Sequence, residues 1–164
     1  MTFIIEDTSF IVSVLDPTDI FFKDAWKTLE VLSPFLNKTK IIIPSVMVLE
    51  TATVLLKRGL SKSKVEEKLW KLLHREEVMV TDIPVNLFVK LTHFSGDIMQ
   101  LKTYDSVLAT MGIEYNALIL TFDKKIREKV KSIFPYVYYC SSEGGMRNEL
   151  QLFAQEFTKR VGKS

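Results

Sequence analysis

Short apolar runs alternate along this chain with stretches of helical period. Residues 2–5 (TFII) read as a first strand. Phe21, Ala25, Leu29 and Leu32 then recur at the spacing of one helix face and predict a helix over 20–33. Residues 40–43 (KIII) are rich in β-branched side chains and stop at Pro44, the pattern of a buried strand. A helix over 45–58 follows, closed by Gly59, a residue suited to ending helices. A capping box at Ser63–Glu66 starts another, with Val65, Leu69, Leu72 and Leu73 at helical spacing. Residues 77–81 read as a strand, 84–94 as a helix with Leu87, Phe88 and Leu91 on one face, and Ser95-Gly96-Asp97 as a loop. The rest reads as a helix over 103–115, a strand over 117–121, a charged helix over 123–132 and a strand over 136–139.

Strands alternating with helices imply an α/β fold with an open, mostly parallel sheet covered on both faces, a three-layer α/β/α arrangement. Gly144-Gly145 marks a break, after which Leu150, Phe153, Ala154, Phe157 and Val161 follow at helical spacing. The expected organisation is one domain over 1–140 and, over 141–164, an amphipathic helical extension packed on the domain or on a partner.

Composition narrows the class. The chain has 164 residues, 47% hydrophobic and 26% charged, enough for a full core and unlike a disordered segment. Basic residues number 22 and acidic residues 20, so nucleic acid could be held only by a local patch. A single cysteine, Cys140, excludes an internal disulfide and points to a reducing compartment, the cytoplasm. Glu6 and Asp7 interrupt the apolar start, and Pro44 and Glu50 interrupt the run 41–56, so neither a signal peptide nor a membrane span is expected.

Open parallel sheets bind ligands beyond the carboxyl ends of their strands, where the strand order reverses. Asp7-Thr8-Ser9 follows the first strand, and Thr121-Phe122-Asp123 closes the strand at 117–121. Two strands thus deliver an Asp to one edge of the sheet, although either Asp also suits a helix N-cap. Wound as a helix, 46–58 places Val48, Leu49, Ala52, Leu55 and Leu56 on a core face, with Glu50, Thr53 and Lys57 on a stripe away from it. That stripe is either solvated or lines a cleft, with Glu50 as a carboxylate ligand. In 103–115, Tyr104, Val107, Leu108, Met111 and Tyr115 form the apolar face, and Asp105 lies to one side above Ala109 and Gly112. Asp105 is either a first-turn acid favoured by the helix dipole or part of a site.

Asp7-Thr8-Ser9, Glu50, Thr103-Tyr104-Asp105-Ser106 and Thr121-Phe122-Asp123, in that order on this frame, resemble the acidic motifs of PIN-domain ribonucleases. The resemblance covers roughly residues 2–139, is strongest over 101–126, and lies closest to the small prokaryotic toxins of toxin–antitoxin pairs. The tail from 140 to 164 is longer than those toxins usually carry. The resemblance implies a metal-dependent endoribonuclease using Mg²⁺ or Mn²⁺, with Asp7, Glu50, Asp105 and Asp123 as catalytic and metal-holding residues. It places Ser9, and in the same way Thr121, as hydroxyls that support a carboxylate or meet a phosphate. It implies an RNA substrate, an antitoxin partner and a homodimer. The physics agrees: carboxylates about 4 Å apart repel by roughly 4 kcal/mol at an effective dielectric of 20, so a converging set takes up protons or a cation. All-oxygen ligation suits Mg²⁺ or Mn²⁺.

Lys57, Arg58, Lys124 and Lys125 are candidate RNA contacts, or simply solvated helix ends. His74 and His93 have no partner spacing for metal or triad chemistry, and Trp26 and Trp70 read as core. A receiver-like phosphorylation domain would need a Lys after the last strand, where YVYYCS has none, and a haloacid-dehalogenase-type phosphatase would need Asp where Ser9 stands. A PIN fold kept as a non-catalytic RNA-binding or interaction module is the remaining alternative.

Overall fold

A sheet covered on both faces needs strands that are apolar on both sides. In the computed structural model, five strands meet that need: β1 (Thr2–Glu6), β2 (Thr39–Pro44), β3 (Val78–Thr81), β4 (Leu118–Thr121) and β5 (Val137–Tyr139). The structure describes residues 1–83, 86, 103–142 and 147–163; the helix expected over 84–94, the loop at 95–97, His93 and Gly144-Gly145 lie outside them. All pairings are parallel, in the order β3-β2-β1-β4-β5. The chain builds outward from β1 to β3, then crosses to β4 on the other side of β1. The reversal therefore falls between β1 and β4, which pair from Ile4↔Leu118 to Glu6↔Leu120.

The described helices are α1 (Thr8–Leu15), α2 (Phe22–Leu32), α3 (Ser45–Lys57), α4 (Lys62–Leu73), α5 (Thr103–Tyr115), α6 (Lys124–Lys131) and α7 (Arg147–Gly162), with a 3₁₀ segment at Ser33–Lys38. Alternation along the strands divides the core. Ile5, Ile42, Ile119 and Val137 pack with Met47, Val107, Leu108, Met111 and Val130 of α3, α5 and α6. Ile4, Leu118, Leu120 and Tyr138 pack with Ala25 and Leu32 of α2 and with Phe153, Phe157 and Val161 of α7. Gly112 lets α5 close on the sheet: a Cβ there would lie 2.7 Å from Ile119 Cδ1 and 2.9 Å from the Phe134 ring. Among the described residues, no helix is long and apolar enough to cross a membrane.

Four local readings change. The helix α1 has no counterpart in the periodicity, because Phe10, Ile11, Val12 and Ser13 are all buried and no polar stripe marks it. On α3 the buried row is Met47, Thr51 and Leu55, while Leu49 and Leu56 are exposed. Apolar residues surround most of that helix, so its neighbours choose the buried face. The cap of α4 is Ser61, whose hydroxyl accepts the Lys64 N–H, two residues before the expected box. Gly59, at φ +90°, does close α3, and this positive φ sets the turn. Trp26 and Trp70 are exposed, not core; Trp70 stacks on His74 instead.

Candidate active site

Asp7 follows β1 directly and caps α1, where its Oδ1 accepts the Phe10 N–H at 2.9 Å. Its backbone N–H donates to the Leu120 carbonyl at 3.1 Å, tying the end of β1 to β4. Two hydroxyls complete the tie. Ser9 Oγ donates to Asp7 Oδ1 at 2.6 Å and accepts the Phe122 N–H at 2.8 Å. Thr121 Oγ1 donates to Asp7 Oδ2 at 2.6 Å and accepts the Asp123 N–H at 2.9 Å. Beneath them Phe122 stacks between Phe10 and Phe21, with centroids 5.3 and 4.8 Å away. These contacts fix both loops, so the acids do not depend on loop flexibility for their placement.

Asp123 caps α6 through the Lys125 and Ile126 N–H groups at 2.8 and 3.1 Å. Asp7 and Asp123 are thus both helix caps, and capping does not take them away from the cleft. Each carboxylate spends one oxygen on a helix start and remains at the sheet edge. Glu50 lies on α3 and accepts the Thr8 hydroxyl. Asp105 sits in the first turn of α5, only 6% exposed.

All four acids line one cleft of about 660 Å³, with Thr8, Ser9 and Phe122 among its other walls. The cleft lies at the carboxyl ends of β1 and β4, the point where the strand order reverses. Asp7 is 1% exposed. Burial pushes its carboxyl up to about 6, against the pull of Ser9, Thr121 and the Phe10 N–H, and the charge of Asp123 pushes the same way as burial. No ion pair reaches Asp7 among the described residues. Asp7 therefore has no compensating cation among the described residues, a lack that a bound cation would relieve.

The donors fit a hard divalent ion in their chemistry, being oxygen throughout. Among the described residues, no three His, Cys, Asp or Glu gather closely enough to form a cage by themselves. Mg²⁺ characteristically keeps waters and takes one or two carboxylates plus substrate phosphates, so an open acidic cleft suits it. Asp7, Glu50, Asp105 and Asp123 would hold it, directly or through water.

A PIN domain family model matches residues 4–131. The chain belongs to the PIN domain family. Solved PIN-type structures resemble it in fold. VapBC2 from Rickettsia felis, bound to a DNA fragment from its promoter, gives a TM-score of 0.61 at 17% identity, covering 83% of this chain and 96% of that one. VapC20 from Mycobacterium tuberculosis, a toxin that cleaves the sarcin-ricin loop, gives 0.58 at 14% identity, covering 75% and 92%. FitAcB from Neisseria gonorrhoeae gives 0.51 at 16% identity, covering 78% and 93%. No curated protein matches the chain by sequence.

The cations of this PIN domain distribute differently from the sequence reading. Lys125 lines the cleft, but Lys57 and Lys124 are exposed outside its walls. The cleft row of α3 is Met47, Glu50, Val54 and Arg58, so Thr53 and Lys57 fall one step around the helix. Arg58 reaches the cleft already engaged, donating to Asp16 at 3.1 Å and to Asp19 at 2.6 Å. Asp19 also accepts Ser13 Oγ and the Phe21 N–H, so the pair pins the α1–α2 loop. Lys129 lines the cleft and was not foreseen; its i, i+4 spacing from Lys125 was the available signal. Tyr104, expected in the core, stands at the cleft edge. Cys140 is buried, and burial pushes its thiol up to about 12, outside thiolate chemistry.

Proposed function

We propose that this PIN domain is a metal-dependent endoribonuclease that hydrolyses RNA phosphodiester bonds, and that it is the toxin of a toxin–antitoxin pair. The observation that carries the reading is the convergence of Asp7, Glu50, Asp105 and Asp123 on one cleft, with Asp7 buried among neutral donors only. A bound Mg²⁺ or Mn²⁺ would lower the pKa of a coordinated water and neutralise charge on a phosphoryl oxygen. The chain's own residues supply position. Ser9, Thr121 and the Phe10 N–H hold the Asp7 carboxylate from both oxygens, so it cannot rotate away. Thr8 fixes Glu50, which leaves that carboxylate to orient the attacking water. Water adds to phosphorus in line, and one P–O ester bond breaks. The toxin reading draws support from the fold shared with VapC20. An antitoxin partner and a homodimer belong to the same proposal, and exposed Leu49 and Leu56 on α3 offer apolar surface for such a contact.

The test is cleavage of total RNA with Mn²⁺ or Mg²⁺, beside EDTA and the variants Asp7→Asn and Asp105→Asn. Metal-dependent cutting is expected, with each variant reduced at least about 100-fold, the scale lost when a key electrostatic group is removed. Equal cutting by either well-folded variant overturns the site. RNA binding without cutting by the wild type favours the non-catalytic module.

A further inference from the structure

Two large side chains with apolar surface stand in water at the cleft that holds the four acids. Ile20 is 79% exposed and Tyr104 is 42% exposed, and both line it. Tyr104 opens the row that Val107, Leu108 and Met111 carry into the core, yet it overhangs the cleft beside buried Asp105. It makes no ring contact, ion pair or hydrogen bond among the described residues. Nothing among the described residues explains an aromatic ring left free there.

The helix α6 sorts its cations into two rows. Arg127 and Lys131 are held by Glu149 of α7. Lys125 and Lys129 face the cleft and form no ion pair among the described residues. With Arg58 spent on Asp16 and Asp19, these two lysines are the unneutralised cations among the described cleft walls. The mouth therefore offers an aromatic face and free ammonium groups above a carboxylate floor. Nucleic acid presents the matching sequence of groups, a flat base joined to phosphates. The cleft is also of the size that holds a small ligand, so an RNA strand must enter it with bases splayed out.

We propose that Tyr104 stacks on a base neighbouring the scissile phosphate while Lys125 and Lys129 hold the flanking phosphates, which makes Tyr104 a substrate-positioning residue. This rests on the nuclease reading above, but its test separates the two. The Asp7→Asn protein keeps RNA intact and serves as the background. Binding of a fluorescent, unstructured RNA oligonucleotide is measured with Mg²⁺ present, and an abasic nucleotide is walked along the strand. Adding Tyr104→Ala should weaken binding roughly 5- to 100-fold, and Tyr104→Phe should restore it. One abasic position should cost the Tyr104 protein a similar factor and cost the Tyr104→Ala protein nothing more. Lys125→Ala and Lys129→Ala should each lower the salt slope of log K by about one.

Unchanged binding in Tyr104→Ala, or abasic losses that simply multiply with it, overturns the base contact. So does a folded Asp7→Asn protein that binds no RNA. If the stacking signature appears but the wild-type protein cuts nothing with metal, the nuclease reading fails and the base contact stands.

Discussion

Asp7 at the cleft and Glu149 in the first turn of the tail helix are both carboxylates withdrawn from water, at 1% and 6% exposure, and their partners differ in kind. Glu149 meets Arg127 and Lys131 through Oε1, and its Oε2 accepts the Tyr139 N–H at 2.7 Å. Burial pushes its carboxyl up, but the Tyr139 N–H, Arg127 and Lys131 outweigh that and hold it below the usual range. Asp7 meets two hydroxyls and one N–H, and burial wins. A carboxylate whose task is to hold the fold together is given cations by the fold. The Asp7 carboxylate is held in place as firmly, but with no cation beside it among the described residues. Its position comes from neutral donors, and under the proposed function the compensating charge is that of a metal ion.

The largest effect should separate the two by removing each. Glu149→Ala leaves Arg127 and Lys131 facing each other without their acid and leaves the Tyr139 N–H unpaired. A loss of about 3–5 kcal/mol is expected in denaturant unfolding. A loss under about 1 kcal/mol would show that the tail is held by Phe153 and Phe157 alone.

Asp7→Asn should move stability the other way at neutral pH. Asp7 has a folded value of about 6, above its ordinary value of 3.8, so the folded protein binds the extra proton between them. Wild-type stability therefore falls as pH rises from about 4 to about 6, by on the order of 2–3 kcal/mol, and Asp7→Asn lacks this fall. Glu6, which burial pushes up to about 7 and which the Asp7 charge also raises, adds a fall in both proteins, so the wild-type-minus-variant difference reads Asp7 together with its coupling to Glu6. Saturating Mg²⁺ or Mn²⁺ should return part of the loss in the wild type only. A flat difference profile from pH 4 to 7 would show that Asp7 is compensated within the fold.

The smallest effect tests the hydroxyl tie. Thr121→Val keeps the shape of β4 but removes the bond to Asp7 Oδ2 and the acceptor of the Asp123 N–H. A cost of about 1–2 kcal/mol is expected, with the Asp7 transition in the pH profile moved upward. An unmoved transition would assign Asp7's placement to Ser9 and the helix start alone.

The parts legible in the sequence share one property: a short-range pattern with few solutions. Continuous apolar runs marked β1, β2, β4 and β5 to within about two residues, the usual uncertainty of element ends. An acid within two residues of a strand's end could lie only at the carboxyl edge, which placed Asp7 and Asp123 on the same edge. The tail row Phe153, Phe157 and Val161 could be buried only along one helix face, and it packs on Ile4 and Leu118.

Elements apolar on every side carried no such constraint. Helix α1 went unmarked, and α3 could be wound with several faces inward, so only packing against α1 and α4 turned Leu49 out and Glu50 toward the cleft. Charge assignments were equally open to the sequence. Arg58 and Lys125 look alike as basic residues near helix ends, but tertiary contacts spent the first on Asp16 and Asp19 and left the second facing the cleft. The sequence by itself determined which groups exist and which lie at strand ends, because connectivity and period are local. Only the tertiary structure decided which charges are neutralised and which aromatic ring stays free, because those depend on neighbours far away along the chain.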